Sequence, residues 1–392
     1  MARCSVFLGR SKHDADENPQ TMPRRCMFSI RFCSGNAIYN LIEPAGLLQH
    51  FAAHPPQDFQ IVALPGAIPG FALHFDLTTT MDRSAQQRLA AWPLRCLWRR
   101  WLRPYTCFVG ATCSEYAPLP IEPEAESLVQ TLLREIAPKF SFLILKDLPM
   151  HSPLTGEAAN RYTQQVISAC QQAGFFMVEG QALAYVPIDF ASIEEVLARM
   201  PRTRRKEMKR KLKARAELEI ETLRTGDPYF FDPAHLDLLY QLYANVYQQS
   251  EIHFDRLTAE FFRALLQDAS LNGSLFLYRA QGEIIGFNLC FEQQGLLLDK
   301  YVGFAYPQAR AHNLYTVSWF HNLEYALQNN LHTYVAGWTD PEIKRHLGAQ
   351  FTFTQHAVYI RNPLLRTLLK PLRRWFESDR QWYEAHAPAA RS

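Results

Sequence analysis

Between Leu298 and Gly348 the chain gathers the residue types that proton transfer and anion handling need. Asp299, Lys300 and Tyr301 follow one another inside the alternating run Leu296 to Phe304. A carboxylate at Asp299 could act as general base toward an amine, and Lys300 or Tyr301 could polarise or protonate a leaving group. The same residues are also what a surface ion pair and a core tyrosine look like. A polar loop, Gln308-Ala309-Arg310-Ala311-His312-Asn313, leads into a helix from about Leu314 to Asn329. Its amino end would offer free N–H groups and a positive dipole end to a pyrophosphate, with Arg310 and His312 beside it. Asn313 as a helix N-cap accounts for the loop without any ligand. Asp340, ahead of Pro341, is predicted to cap the last short helix.

The elements that must position these groups are legible from hairpin turns and two-residue periodicity. Leu275 to Ala280, Glu283 to Phe291 and Leu296 to Phe304 read as three antiparallel strands. Val317, Phe320, Leu323 and Leu327 give the following helix one apolar face. A strand from His332 to Ala336, a short helix through Leu347 and a last strand pair complete a layered α+β unit. Upstream, Leu41 to Ala53 is predicted as a short helix, Phe59 to Phe75 as interrupted strands and Glu124 to Ile136 as an amphipathic helix. Phe140 to Leu145 is predicted as a strand, Glu157 to Ala173 as a helix, and Phe175 to Ile188 as a hairpin around Gly180. Trp92 to Arg103 joins three tryptophans with four arginines.

The sharpest compositional break is Arg202 to Arg215, with nine Lys/Arg against the single acid Glu207. The segment is +8 in a chain of +3, so the remainder is net −5. No Gly or Pro interrupts it, which predicts a helix. It is either a solvated connector or an anion-facing helix, with Arg205 and Lys209 as substrate contacts. DNA is disfavoured as a partner, since no helix-turn-helix, zinc finger or aromatic single-strand platform accompanies the charge. Pro363 to Phe376 is a second basic amphipath, interrupted by Pro371. Its apolar stripe suits docking on the core or contact with a membrane surface.

At 392 residues the chain suggests two domains. No apolar run approaches the ~20 residues that a bilayer crossing needs. The polar, Arg-containing stretch 1–27 reads as a disordered extension rather than a secretory signal. Eight cysteines form no CxxC pair, which favours a reducing, cytoplasmic setting. Thirteen histidines include no HExxH motif, and His50 and His54 lack further ligands nearby, so no metal is expected. GxSxG and Walker patterns are missing, and Cys113 beside Ser114-Glu115 reads as a buried thiol.

Gly282-Glu283-Ile284-Ile285-Gly286-Phe287, Leu298-Asp299-Lys300-Tyr301-Val302-Gly303 and the late series Gly337, Lys344, Gly348 resemble the FemAB-like group of GNAT-type N-acyltransferases. The likeness covers roughly the last half of the chain. It implies an α+β fold of tandem GNAT-like domains, with mixed, mostly antiparallel sheets flanked by helices. The expected boundaries are a degenerate unit over 28–200, an acyltransferase unit over 201–362 and a basic tail from 363. It further implies that the strands near Tyr301 and Val335 splay apart, so that backbone N–H groups face a reacting carbonyl. By the same resemblance Asp299, Tyr301 and Lys344 are catalytic, Lys344 meeting an anionic substrate or intermediate. Tyr301, Val302, Arg310, His312 and Asn313 are the candidate cofactor-binding residues, and Arg205, Lys209, Lys300, Trp338 and Asp340 the candidate substrate-binding residues.

The expected donor is acyl-CoA and the expected acceptor the amine of a small molecule, glycan-peptide or lipid-linked precursor. Where the GNAT phosphate loop carries glycine, this chain has Ala309, Ala311 and Asn313, which leaves an aminoacyl-tRNA donor open. A non-catalytic module that holds anionic RNA, glycan or lipid through its basic helices is the reading of a different class.

Overall fold

In a computed structural model the described residues are 38–77, 102–250, 254–338 and 340–369. The stretches 1–27 and 92–101 and the C-terminal part of the basic amphipath, from 370, lie outside them.

The first half contains β1 (Ile38–Tyr39), α1 (Gly46–Ala53), β2 (Gln60–Ile61), β3 (Gly70–His74), β4 (Tyr105–Val109) and β5 (Leu119–Pro120). It continues with α2 (Ala125–Glu135), β6 (Phe142–Pro149), α3 (Glu157–Gln172), β7 (Phe176–Pro187) and α4 (Ile193–Arg199). The basic segment forms α5 (Arg202–Leu212), followed by β8 (Leu218–Arg224), α6 (Pro233–Gln249) and α7 (Ala259–Gln267). The predicted meander is β9 (Ser274–Ala280), β10 (Glu283–Gln293) and β11 (Leu296–Phe304). A single turn α8 (Gln308–Ala311) leads to α9 (Leu314–Gln328), β12 (Thr333–Gly337), α10 (Pro341–His346), β13 (Gln350–Ile360) and α11 (Pro363–Leu369).

Eleven of these strands share one sheet in the order β2-β3-β4-β6-β13-β7-β12-β11-β10-β9-β8, while β1 and β5 pair separately. Only β4 with β6 and β11 with β12 run parallel; the other pairs are antiparallel. The order reads as two like units back to back. Each has an antiparallel set, a crossover helix, a parallel strand, a second helix and a last strand. The fold is α+β and tandem, as expected.

Those last strands are exchanged. β7 lies against β12 of the second unit, β13 lies against β6 of the first, and the two pair with each other at the centre. Two expectations change here. Phe175 to Ile188 is one 12-residue strand, not a hairpin, and the predicted last strand pair is the single strand β13. Gly180 makes no turn: a Cβ there would lie 3.2 Å from the Thr354 backbone carbon, so glycine permits the close approach of β13. Local sequence signals turns, whereas this pairing joins segments about 170 residues apart.

Strand alternation sends Phe71, Phe142, Ile144, Leu296 and Leu298 to one face, where α1, α6 and α7 cover a layer continuous across both units. The opposite face is divided. α2 and α3 cover the first unit, and α4, α5 and α9 cover the second. Among the described residues no helix is long and apolar enough to cross a membrane.

Two motif glycines serve packing. Gly286 pairs with Phe304 and Gly303 with Phe287 across β10 and β11. A Cβ on Gly303 would fall 2.8 Å from Leu242 Cβ on α6 and would also strike the Phe287 ring. Gly303→Ala is therefore expected to lower stability by about 1–3 kcal/mol through overpacking, read as a lower urea midpoint with an unchanged slope.

Candidate functional site

Pairing between β11 and β12 runs Leu296↔Thr333, Leu297↔Tyr334 and Leu298↔Val335, and ends there. Both strands continue, β11 to Phe304 and β12 to Gly337. They therefore form a fork, with Asp299 to Val302 on one arm and Ala336 to Trp338 on the other. Backbone N–H groups on the inner edge of β11 beyond Leu298 have no β12 partner. That is the splayed geometry expected from the sequence.

A bulge shapes the first arm. Cys290 pairs with Asp299 and Leu289 with Tyr301, so Lys300 is an extra residue. Strict alternation would put Lys300 and Tyr301 on opposite faces. The bulge sends both toward the face covered by α6 and α7, and Asp299 alone toward α9.

Half-buried Asp299 collects three hydrogen bonds on the α9 side. Asn288 Nδ2 donates to Oδ1 at 2.6 Å, Tyr334 OH to Oδ2 at 2.7 Å and Asn322 Nδ2 to Oδ2 at 3.2 Å. Asn322 Nδ2 also donates to Asn288 Oδ1 at 2.6 Å, tying the two amides together. A carboxylate has about four acceptor positions, so one remains for an incoming donor. Burial pushes the Asp299 carboxyl above its ordinary range, while the Tyr334 and Asn288 hydrogen bonds and the Lys344 charge oppose it.

Lys344 closes the fork from α10. It is only 4% exposed, and a Cβ on Gly337 would lie 3.9 Å from its Nζ and 3.8 Å from Asp299 O. Glycine at 337, with φ of 79°, thus leaves the space between the two groups open. Burial depresses the ammonium to about 8, against the pull of Asp299, Asp340 and Glu115. Lys344 is thus buried rather than facing solvent, and the Asp299 charge reaches it.

Other predicted residues do different work. Lys300 is not available to a substrate: its Nζ donates to Glu115 Oε1 at 2.5 Å and to Glu43 Oε1 at 3.4 Å, with side chains at most 5% exposed. Burial alone would depress that ammonium, but Glu115 and Glu43 outweigh it and hold it above the usual lysine range. Tyr301 packs against Phe261 and Phe262, and its hydroxyl is buried with no partner; burial raises it well above the ordinary tyrosine value. Such a hydroxyl is a poor proton donor to a leaving group. Val302, half-buried, stands on the open arm, packed toward the α9 side.

Arg310 Nη2 donates to Gln249 Oε1 at 2.7 Å and its guanidinium lies 5.0 Å from the Tyr306 ring centre. His312 Nδ1 is 3.3 Å from Glu217 Oε2. Asn313 and Asp340 do precede helices, but neither caps through its side chain. Both have left-handed backbone, φ 51° and 55°, a conformation that Asn and Asp tolerate better than most residues. Trp338 meets Tyr116 edge-on at 6.3 Å. On α5, Arg205 Nη1 donates to Ala198 O at 3.3 Å, and Lys209 is exposed.

The residues missed from the sequence are Asn288, Asn322, Tyr334, Glu43 and Glu115. Asn288 and Asn322 are fully buried within apolar elements, and that mismatch is the available signal. Among the described residues no group of His, Cys, Asp or Glu could hold a metal, and Cys107, Cys113, Cys170 and Cys290 are buried thiols.

A family model, FemAB-like, described as peptidoglycan biosynthesis/recognition, matches residues 145–391. No curated protein matches the chain. Among solved structures, the C-terminal domain of a putative lysylphosphatidylglycerol synthetase from Agrobacterium fabrum is similar, at 12% identity and a TM-score of 0.50. The match covers 82% of this chain and 88% of that one. L-PGS from Bacillus licheniformis matches at 9% identity and a TM-score of 0.50, over 85% of this chain and 98% of that one. FemX matches at 12% identity and a TM-score of 0.46, over 83% and 98%.

Lys344 gives the fork a stability signature. Its folded pKa, about 8, is below the ordinary 10.5, so between these values the unfolded chain binds more protons and stability rises with pH. Below pH 8 the full cost of burying the charge, roughly 3 kcal/mol, is present. Lys344→Met is expected to be more stable than the parent at pH 7, with the difference shrinking toward pH 10.5. Urea unfolding across that range measures it.

Proposed function

Because this chain belongs to the FemAB-like family, we propose that it transfers an acyl or aminoacyl group from an activated donor to an amine of a peptidoglycan-precursor kind. The observation that carries the reading is the fork itself, where β11 and β12 part after Leu298 and Val335, with the Asp299 backbone carbonyl and Lys344 Nζ both beside Gly337.

The chemistry needs two reactants held together and one developing charge stabilised. In this reading the amine donates an N–H to the acceptor position left on Asp299, and Asn288, Asn322 and Tyr334 hold that carboxylate in place. As the C–N bond forms, the carbonyl oxygen gains negative charge opposite the Lys344 ammonium and the unpaired N–H groups of β11. The proton taken up by Asp299 then returns to the departing thiolate or ribose oxygen as the C–S or C–O bond breaks. Trp338, at the mouth, supplies a flat wall for the acceptor, with Asp340 beside it.

Acyl-CoA is the first donor to try. Aminoacyl-tRNA is the second, favoured by one observation: Arg310, the expected phosphate contact, is already held by Gln249 and Tyr306. In that case the exposed cations of α5, Lys209 among them, would meet phosphates.

Purified full-length chain, either donor and an amine-bearing muropeptide precursor provide the test, with product read by mass spectrometry. Absence of transfer from both donors sinks the reading. With activity in hand, Asp299→Asn should lower kcat by about 10²–10⁴-fold, and Lys344→Ala by about 10²–10³-fold. The rate should fall on the acid side as the raised Asp299 carboxyl protonates. It should fall above pH 8 or so as Lys344 loses its charge. Lys344→Arg keeps that charge and should abolish the alkaline fall.

A further inference from the structure

The basic helix α5 carries a charge pattern that its own fold does not require. Arg202, Lys206, Lys209, Arg210 and Lys213 are all exposed. At 3.6 residues per turn they fall within an arc of about 100°, in a strip about 16 Å long. The other side of the helix is occupied. Met208 is buried in the layer that holds Phe320 and Leu323 of α9, and Leu212 packs against the same layer. Arg205 donates to Ala198 O, and Arg215, just beyond the helix, pairs with Glu324 of α9 at 2.6 Å. Glu207, the single acid, is taken by Lys211 at 2.8 Å. Among the described residues none of the five exposed cations has an ion-pair partner.

Helix stability argues against such a strip. Arg202 with Lys206, Lys206 with Arg210 and Lys209 with Lys213 are like charges one turn apart, and each pair is unfavourable. Arg202 also stands at the amino end, where the helix dipole favours an acid, and the first turn has none. A local choice that opposes its own element marks a functional surface. Negative charge supplied along the whole strip by a partner is what relieves the repulsion.

The surroundings distinguish between polyanions. No aromatic residue occurs between Arg202 and Arg215, so a single strand of nucleic acid has no stacking platform there. α5 begins just after Met200, whose Cε would lie 4.0 Å from a Cβ on Gly348 at the end of α10. On α10, near the start of the strip, Ile343 is 48% exposed. Headgroup phosphates suit the cations and the acyl boundary suits the aliphatic side chain, a combination that a bilayer surface offers. Because the basic segment is +8 and the remainder −5, an anionic plane attracts this helix and repels the rest, which fixes the orientation.

We propose that α5 is a docking strip for an anionic bilayer, with Arg202, Lys206, Lys209, Arg210 and Lys213 on the headgroup phosphates and Ile343 entering the interface. The transferase reading gives this contact a purpose, bringing the fork to lipid-linked amines, but the contact itself does not depend on it. An RNA donor would compete for the same side chains.

The full-length chain is mixed with vesicles of equal parts phosphatidylglycerol and phosphatidylcholine, or of phosphatidylcholine alone, and bound protein is measured by sedimentation. Binding should require the anionic lipid and should be lost at about 1 M salt, where the screening length falls to about 3 Å. Lys206→Gln and Lys213→Gln should each weaken it about fivefold, and the double variant about 25-fold. Ile343→Ser should weaken it as well. Amine acetylation of the parent reads the contact without any variant: anionic vesicles should shield Lys206, Lys209 and Lys213. No shielding at physiological salt, or equal binding to phosphatidylcholine alone, overturns the proposal. So does a structured RNA that shields these lysines at a lower phosphate concentration than the vesicles need. A chain that docks without transferring counts against the transferase reading alone, and one that transfers without docking counts against this proposal alone.

Discussion

Everything at the site depends on two parallel strands ceasing to pair. Hydrogen bonding between β11 and β12 stops after Leu298 and Val335, and the inner edge of β11 beyond that point has no β12 partner. Unpaired backbone groups are costly when buried, so the parting must be enforced from outside. The bulge at Lys300 supplies one cause, because an extra residue bends the strand and increases its twist. Gly337 supplies the other by keeping side-chain bulk out of the gap. An open ladder edge is what an acyl-transfer site can use, since its donors are fixed before any substrate arrives.

The energetic character of the site follows. Two elements carry groups that would be more comfortable in water, Asp299 on β11 and Lys344 on α10. Each is displaced by burial from its ordinary protonation range, and each partly compensates the other. A buried pair of this kind is weak evidence for stability and better evidence for function. The asparagine pair and Tyr334 serve the same end, using apolar elements to deliver hydrogen bonds to one carboxylate.

What the sequence disclosed and what it withheld divide along contact distance. The meander β9 to β11, the helix α9 and the basic helix α5 were legible because turns and periodicity are local. Asp299 and Lys344 were each singled out as candidates, and the fork was expected through family likeness. Lys300 was misread because its partners Glu43 and Glu115 lie 257 and 185 residues away. Tyr301 was misread because a single bulge turned it toward α6 and α7. Gly180 looked like a turn because nothing local reports that Thr354 must pass close over it. Strands from both sides of the expected boundary at 200 share a single sheet, so the two units are joined along their whole central edge.

The exchanged final strands impose an order on biosynthesis. β13 inserts between β6 and β7, so until residues 350–360 have left the ribosome those two strands present unsatisfied edges to solvent. The first unit cannot finish ahead of the second, unlike tandem domains that mature one at a time. Contacts of such long sequence separation also slow closure. A nascent chain of this type is exposed to edge-to-edge association until the final strand is in place.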